Sequence, residues 1–359
     1  MKSAKVFVLF SLILLMLSFP VYAAEQSNTP VTPDQKSTIQ LGDINSASNK
    51  DNQVPLTGMA GQIISSQGTL TTTGVGNALI SDQINNLTKS KNTPDWLKRT
   101  DLGFQLQDGI KPLYFIQTIQ PLGPMTNKVT NFWQFRYGDD LSAGTVMNLG
   151  FGNRVLSNDK KSMFGENVFY DRGFRYGHER VGAGLEYFQG LGEYRVNYYR
   201  AISGEKLIDA TNQIYEQALS GYDLEVGTSI ANAPWAKIYI RGYHWNGVVG
   251  LPGINGWQER MVLQVFPQLQ LEFGYIGANE GNGVDTFGGR YVKLMYNLGA
   301  KAQAMFEHNK PVFRTGDDVT VEGKRLEKVE RQNDIIVEDY QKRATPSGSY
   351  NLTVKFSHI

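Results

Sequence analysis

The 359-residue sequence contains no cysteine, which excludes disulfide bonds and thiolate metal sites. Acidic and basic residues nearly balance, with a formal net charge of +1, so bulk electrostatics gives no case for nucleic-acid binding. Beyond the first two dozen residues there is no apolar run of the ~18 residues that identify a transmembrane helix. The mature chain therefore has neither a disulfide framework nor a membrane-spanning helix.

The N-terminus has the pattern of a secretory signal peptide. Lys2 and Lys5 give a basic start, and an uncharged apolar run extends from Val6 to Pro20. Small residues follow, and cleavage after Ala23 places Val21 three positions before the cut. We expect residues 1–23 to be removed after export.

Residues 24–95 are rich in Ser, Thr, Asn, Gln and Gly and carry few aromatic side chains. Such a composition cannot bury enough apolar surface to fold independently. We therefore interpret this stretch as a low-complexity periplasmic tail.

Between residues 101 and 298 the pattern changes to strict alternation. Val181 and Leu185 fall on one face of an extended chain, whereas Gly182 and Glu186 fall on the other. A period of two indicates a strand whose faces meet different surroundings. Twelve such segments begin near Asp101, Leu113, Thr130, Gly144, Lys161, Glu179, Gly192, Ser220, Trp235, Gly256, Gln268 and Gly289.

A soluble β-sandwich also alternates, but two features favour a membrane barrel. One face carries aromatic residues near strand ends, as an interfacial girdle does: Trp133, Tyr137, Tyr170, Tyr187, Tyr194, Tyr222 and Tyr275. The other face is too charged for a dry core and supplies the candidate lumen-facing residues: Arg136, Arg154, Glu186, Glu193, Arg195, Asp223, Glu225, Lys237, Arg241, Glu272 and Lys293. Glu166 falls on the outward face in this register.

The sequence thus predicts an all-β protein, a twelve-stranded antiparallel transmembrane β-barrel of the outer membrane over residues 96–299. An even strand number is typical of bacterial outer-membrane barrels. Residues 300–359 are expected to form a lumen or linker segment with a short C-terminal tail, which contains a last strand candidate at Tyr350–Phe356.

Several segments resemble the β-domain of the inverse autotransporters, the intimin and invasin family. Gly165-Glu-Asn-Val-Phe-Tyr-Asp171 matches that family's Gly-x-Asn-x-Phe-Tyr-Asp stretch, with Gly165, Asn167, Phe169, Tyr170 and Asp171 as the matching residues. In the expected order lie Phe132–Arg136, Asn148–Arg154, Arg180–Glu186, Glu193–Ser203, Gly221–Glu225 and Val329–Val337. The ordered set covers about residues 95–343.

The resemblance implies a twelve-stranded anchor whose following chain threads back through the lumen, partly helical, and displays a passenger of immunoglobulin-like domains. The charged inner face would then pair with the polar chain inside. Only residues 344–359 follow Arg343, so we expect no such passenger in this sequence, and the family's host-cell adhesion does not carry over with it. Expected partners are outer-membrane lipid, the barrel-assembly machinery and periplasmic chaperones, and a host or cell-surface receptor of unknown identity.

Catalysis, metal binding and nucleotide binding find little support. An outer-membrane phospholipase needs a Ser beside its His, but no Ser lies two residues after His244. The four histidines are far apart, and the acidic pairs Asp139-Asp140 and Asp317-Asp318 suit solvated loops better than a cation site. Gly150-x-Gly152 and Gly182-x-Gly184 lie within strands and precede no helix, unlike a phosphate-binding loop. We expect no enzymatic activity and no cofactor.

Three functions remain open from the sequence. The first is a translocator or anchor of the intimin and invasin type, reduced to its membrane domain. The second is a small surface adhesin. The third is a porin-like channel with a polar lumen.

Overall fold

The computed structural model describes residues 94–141, 143–230, 233–248, 251–279, 288–299, 319–344 and 350–354. The predicted signal peptide and nearly all of the predicted periplasmic tail lie outside these residues. Within the described ranges no helix has the length and apolar character that crossing a membrane requires.

The strands follow the alternating segments of the sequence. Their bounds are β1 Thr100–Gln107, β2 Ile110–Pro121, β3 Val129–Asp139, β4 Thr145–Leu156, β5 Ser162–Gly173, β6 Glu179–Gln189, β7 Gly192–Ala201, β8 Lys206–Asp209, β9 Ile214–Ala218, β10 Gly221–Ile230, β11 Ala233–Trp245, β12 Ile254–Phe266, β13 Leu269–Asn279, β14 Gly289–Asn297, β15 Val337–Ala344 and β16 Tyr350–Val354. Short 3-10 turns lie at Leu97–Arg99 and Glu322–Lys324.

Twelve of these strands close into an antiparallel barrel in the order β1-β14-β13-β12-β11-β10-β7-β6-β5-β4-β3-β2. Closure is made by β1 against β14, from the pair Asp101 and Asn297 to the pair Gln107 and Tyr291. The predicted fold class is therefore confirmed. Each predicted strand start lies within three residues of the observed one.

The two faces of the barrel wall have opposite chemistry. Outward side chains are apolar and exposed, as with Ile240 at 63 % and Val168 at 57 %. Inward side chains are polar and buried, as with Arg154, Arg180 and Asp223. This arrangement is that of a barrel whose outer surface contacts hydrocarbon and whose lumen is polar.

The two rims of the barrel differ. At the rim where β1 begins and β14 ends, here the terminal rim, tight connections such as Gly190-Leu191 and Pro267-Gln268 join the strands. At the opposite rim, the far rim, the connection from β7 to β10 is long and contains β8 and β9. The sequence analysis did not anticipate this inserted hairpin, because its strands are too short to show a clear period.

The inserted hairpin joins the end of the chain in a second sheet of order β16-β15-β9-β8, here the rim sheet. Ala218 of β9 pairs with Val337 of β15. A buried contact fixes the hairpin to the barrel, since His178 Nε2 lies 2.9 Å from the Glu216 carboxylate. An apolar cluster under this sheet contains Tyr199, Leu219, Trp245, Val248, Ile336 and Tyr340.

Glu205 gives the rim sheet a pH-sensitive contact. Its carboxylate accepts hydrogen bonds from Lys342 Nζ at 2.5 Å and from the Tyr340 hydroxyl. Chiefly the bond from Lys342, and then that from Tyr340, lower the pKa of Glu205. A lowered pKa means that the contact is present at neutral pH and is lost as pH falls through that value.

We expect amide hydrogen exchange in β15 to accelerate, relative to intrinsic rates, as pH falls below the ordinary pKa of a glutamate. The pair is partly exposed, so the effect on local opening should stay below about 1 kcal/mol. Glu205→Gln removes the titrating group, and its exchange should lose this pH dependence. Identical pH profiles for the variant and the wild type would contradict the assignment.

Candidate functional site: the barrel lumen and the segment that threads it

The lumen wall brings together the candidate residues proposed from the sequence. Nine of them are buried on the inward face: Arg136, Arg154, Glu186, Glu193, Arg195, Asp223, Glu225, Arg241 and Glu272. Lys237 and Lys293 also point inward and are partly buried. These side chains come from strands β3 to β14, so the lumen is charged on most sides.

Most of these charges form one connected network, here the charge belt. Its links are Arg154–Glu186 at 2.9 Å, Arg195–Glu186 at 3.7 Å, Arg195–Glu225 at 2.8 Å, Arg241–Glu225 at 2.8 Å, Arg260–Glu225 at 3.0 Å, Arg260–Glu272 at 3.3 Å and Lys293–Glu272 at 2.9 Å. Signs alternate along it. Several links join residues directly opposite on neighbouring strands, as with Glu225 and Arg241. Cross-strand pairing of opposite charges therefore lets a buried ring of charges remain paired.

Residues 319–336, here the threaded segment, cross the lumen from the terminal rim to the far rim. At the start, Val321 packs with Leu156, Met163 and Phe188, and its N–H donates to the Lys160 carbonyl at 2.8 Å. At the other end, the Ile335 N–H donates to the Asp140 carboxylate at 2.7 Å. β15 then begins at Val337 in the rim sheet.

Apart from its 3-10 turn the threaded segment has no regular structure, so its main-chain groups need partners from the wall. Arg154 donates to the carbonyls of Arg325 at 3.2 Å and Glu327 at 2.6 Å. Arg180 donates to the carbonyls of Gln332 at 2.7 Å and Asp334 at 2.9 Å.

Two amide side chains complete this recognition of the main chain. Gln134 accepts the Val329 N–H at 2.7 Å and donates to the same residue's carbonyl at 3.4 Å. Asn148 donates to the Asn333 carbonyl at 2.9 Å. The wall therefore holds the segment's backbone at several points along its length, and ion pairs such as Lys324–Glu193 and Glu330–Arg260 hold its side chains as well.

One side-chain contact stands out from this pattern. The Asp171 carboxylate receives both terminal nitrogens of Arg331 at 2.7 Å each, a bidentate pair. It also accepts Arg180 Nε and Asn148 Nδ2, both at 2.8 Å. The Arg331 guanidinium lies 4.3 Å from the centre of the Phe169 ring. Asp171 thus binds Arg331 of the threaded segment and also Arg180 of the wall, which holds the segment's carbonyls.

The family-like motif of β5 serves this contact. Asp171 and Phe169 touch Arg331 directly. At Gly165 an added Cβ would lie 3.1 Å from the Arg154 side chain, so glycine leaves room for that arginine. Asn167 is buried on the lumen side, whereas Tyr170 points outward and donates to Glu179 at 2.7 Å.

Sequence reasoning missed several lumen residues. Arg180, Arg260 and Asn148 lie on the inward face and bind the segment or the charge belt, but were not among the candidates. These residues alternate with outward-facing neighbours along their strands, and this pattern could have placed them on the lumen face. At Gly182 a Cβ would lie 3.0 Å from Arg331 Nη2, which explains a glycine opposite the segment.

The threaded segment hydrogen-bonds mainly to strands β3 to β7, and its ion pairs also reach Asp101 on β1, Lys237 on β11 and Arg260 on β12. Part of the lumen stays open. A cavity of about 720 Å³ remains beside it. Its lining combines amides and an aromatic ring, such as Gln105, Gln258 and Tyr291, with charged residues of the belt, including Arg241, Arg260, Glu272 and Lys293. The remaining space is therefore polar and is lined by both charged and neutral groups.

Of the other sites considered from the sequence, the acidic pair Asp317-Asp318 lies outside the described residues. His244 lies on β11 at the far rim with its ring nitrogens 2.7 Å from Asn255 Oδ1 and 3.1 Å from Asn246 Oδ1. Among the described residues no group of three or more His, Asp or Glu side chains has the arrangement of a metal site.

Comparison with known proteins decides the family. The model of the inverse autotransporter β-domain matches residues 58–333. The chain belongs to the inverse autotransporter family. The match covers the barrel and most of the lumen-crossing segment of this inverse autotransporter β-domain. No curated protein sequence matches the chain.

One of three similar solved structures supports the fold. A membrane protein from a study of in-meso crystallization has a TM-score of 0.53 at 18 % identity, covering 67 % of this chain and 99 % of its own. Outer membrane phospholipase A from Escherichia coli has a TM-score of 0.37 at 14 % identity, covering 60 % of this chain and 96 % of its own. The KdgM porin has a TM-score of 0.35 at 9 % identity, covering 55 % and 97 %. The first likeness shows the fold, and the other two are too weak to bear on function.

Removing the Asp171 carboxylate should loosen the threaded segment. Asp171→Ala leaves the guanidinium groups of Arg180 and Arg331 buried without their shared acceptor, which costs about 3–5 kcal/mol. We expect a cysteine introduced at buried Val329 to react with a water-soluble maleimide much faster in this background. The chain has no native cysteine, so labelling reports only this position.

Arg172→Ala is the matched control, because Arg172 follows on the same strand but pairs with Glu179 outside the lumen. An exposed pair of this kind contributes at most ~1 kcal/mol, so labelling at position 329 should be unchanged. Equal labelling rates in the Asp171→Ala and Arg172→Ala backgrounds would show that Asp171 does not hold the segment.

Proposed function

We propose that this protein is a non-enzymatic outer-membrane anchor that holds its own C-terminal segment across the barrel and presents the following residues at the cell surface. The observation that carries this proposal is the set of lumen contacts to the segment's main chain, from Val321 at one rim to Ile335 at the other. A wall that binds backbone groups suits the retention of an extended chain.

The proposed orientation places the terminal rim in the periplasm and the far rim outside. Outer-membrane barrels have short periplasmic turns and longer extracellular loops, and the long β7–β10 connection lies at the far rim. The threaded segment then runs outward, and the rim sheet lies on the cell surface. Export by a cleaved signal peptide of residues 1–23 belongs to the same proposal.

A role in adhesion is the finer part of the proposal. The rim sheet combines a barrel hairpin with the end of the threaded segment, so anything attached beyond β16 is held to the barrel by β-ladder hydrogen bonds. This geometry suits a surface attachment point for a receptor-binding structure. The receptor chemistry is left open.

Surface labelling tests the orientation. Ser349→Cys supplies the single thiol of the chain, close to the start of β16. A membrane-impermeant maleimide should label it in intact cells, because the proposed orientation places it outside. Ser157→Cys, in a tight turn of the terminal rim, is the matched control and should label only after the outer membrane is broken. The reverse pattern would refute the orientation.

The second candidate, a porin-like channel, is favoured by the cavity beside the segment. The polar space of about 720 Å³ offers a path that the segment does not fill. In an anchor, the segment stays in the lumen as a permanent part of the structure. In a channel, it would only obstruct the path.

Planar-bilayer conductance separates these candidates. For an anchor with a resident segment, the full-length protein should conduct weakly, and deletion of residues 299–359 should raise the conductance severalfold, since the lumen loses its filler. Heat-modifiable migration in SDS gels checks that the deletion variant still forms a barrel. A large open conductance in the full-length protein, unchanged by the deletion, would favour the channel.

A further inference from the structure

Two arginines interrupt the apolar outer wall close to the far rim. Arg172 on β5 and Arg200 on β7 are both exposed on the outward face. In register, Arg172 is paired with Glu179 and Arg200 with Val181, so one strand, β6, lies between them. Strand spacing and rise place their Cα atoms roughly 12 Å apart. Two long guanidinium side chains can therefore reach a single headgroup beside the wall.

The positive charge of these two arginines is only partly balanced. Arg172 Nη1 lies 2.8 Å from the Glu179 carboxylate, which also accepts the Tyr170 hydroxyl at 2.7 Å. Within the part of the chain that the structure describes, the Arg200 guanidinium forms no ion pair. The outward Glu166 of β5 lies ~20 Å below Arg172 at ~3.3 Å per residue, too far to pair with either arginine. Two guanidinium groups thus share one carboxylate.

A third exposed cation lies at the same rim. Arg175 belongs to the connection from β5 to β6. Main-chain hydrogen bonds fix this connection, because the Phe174 N–H donates to the Thr145 carbonyl at 2.9 Å and the Arg175 N–H donates to the Ala143 carbonyl at 3.3 Å. The far rim from β5 to β7 is therefore cationic, next to an apolar wall.

The apolar surface below the arginines suits a hydrocarbon chain. Val168, Ala183 and Tyr198 lie side by side in register on β5, β6 and β7. Val168 and Tyr198 are strongly exposed, and the small Ala183 between them leaves a shallow depression along β6 that continues from Val181. The wall thus offers apolar contact below and positive charge above. Hydrocarbon and anionic headgroup follow each other in this order in an acidic lipid.

The opposite side of the barrel lacks this combination. Along β12, the outward residues nearest the far rim are Asn255 and Trp257, and neither is charged. At the far rim of β14, the exposed Arg290 pairs with Asp108 at 3.1 Å, so its charge is balanced. Arg290 therefore provides a matched comparison, an exposed rim arginine with a carboxylate of its own.

We propose that Arg172 and Arg200 bind the phosphate groups of lipopolysaccharide, the phosphorylated glycolipid of the outer leaflet, with an acyl chain lying over Val181 and Ala183. Guanidinium groups bind phosphate through paired hydrogen bonds, which are stronger than those of neutral donors. Basic groups at a membrane surface attract anionic headgroups. Two arginines suit the two phosphates of the lipid A headgroup better than the single phosphate of a phospholipid. The proposal rests on the orientation given above, which places the far rim in the outer leaflet.

Titration with lipid A tests the site. The full-length protein, purified in a neutral detergent, is mixed with fluorescently labelled bisphosphorylated lipid A in mixed micelles. R200A should weaken binding about tenfold or more, the effect of losing a hydrogen-bonded contact to a charged group. R290A is the matched control and should leave the affinity unchanged. Heat-modifiable migration confirms that each variant forms a barrel.

The chemistry of the lipid gives a second test. Lipid A that lacks one phosphate should bind the wild type more weakly than the bisphosphorylated form, whereas R200A should discriminate less between the two. Phosphatidylglycerol in the same micelles presents negative charge without the glycolipid headgroup, and it should bind clearly more weakly.

Several outcomes would overturn the proposal. These are an unchanged affinity in R200A, equal weakening by R200A and R290A, and equal affinity for phosphatidylglycerol. The titration uses purified protein and does not depend on orientation, which the labelling of Ser349→Cys reports separately. A reversed labelling pattern would place the arginines in the inner leaflet and would exclude lipopolysaccharide as their partner. A failure of lipid A binding leaves the anchor function standing.

Discussion

The structure depends on one constraint. The main-chain groups of an extended chain inside the lumen need hydrogen-bond partners from the barrel wall. Asp171 is the centre of the solution. Its carboxylate binds Arg331 of the threaded segment and at the same time orients Arg180 and Asn148, which hold the segment's carbonyls. Side-chain recognition and main-chain recognition therefore depend on one buried carboxylate. Breaking a buried pair of this kind is far more costly than losing an exposed one.

The rest of the lumen is arranged around that contact. The charge belt continues from Arg154 on β4 to Lys293 on β14 and pairs each buried charge with a neighbour of opposite sign. It also reaches the segment, since Arg260 lies 3.3 Å from Glu330. The cavity beside the segment is lined by charged residues of the belt as well as by amides.

The membrane determines the chemistry of the barrel's outer surface. An apolar exterior confines the barrel to the bilayer. At the far rim, the β7–β10 insertion supplies β8 and β9 and converts the exit of the lumen into a sheet. Polar groups of the lumen and of the rim both find partners within the chain, as Asp171 does with Arg331 and His178 with Glu216.

The sequence by itself determined the barrel. A period of two sustained over residues 101–298 has one face for hydrocarbon and one for a polar lumen, and it located all twelve strands because side-chain alternation is a local property of an extended chain. The sequence also singled out Asp171 through the β5 motif. It did not assign Asp171 a partner, because Arg331 is 160 residues away and nothing local relates the two.

Only the tertiary structure decided which groups meet. The pairing of Asp171 with Arg331, the roles of Arg180 and Asn148 towards carbonyls, and the rim sheet made by β9 and β15 all join distant parts of the chain. Barrel closure and the path of the threaded segment set these distances, and neither is encoded in a window of neighbouring residues. The polar lumen was therefore predictable from the pattern of each strand, and the family resemblance implied a chain threaded through it. The contacts that hold this segment became visible only once the strands had closed around it.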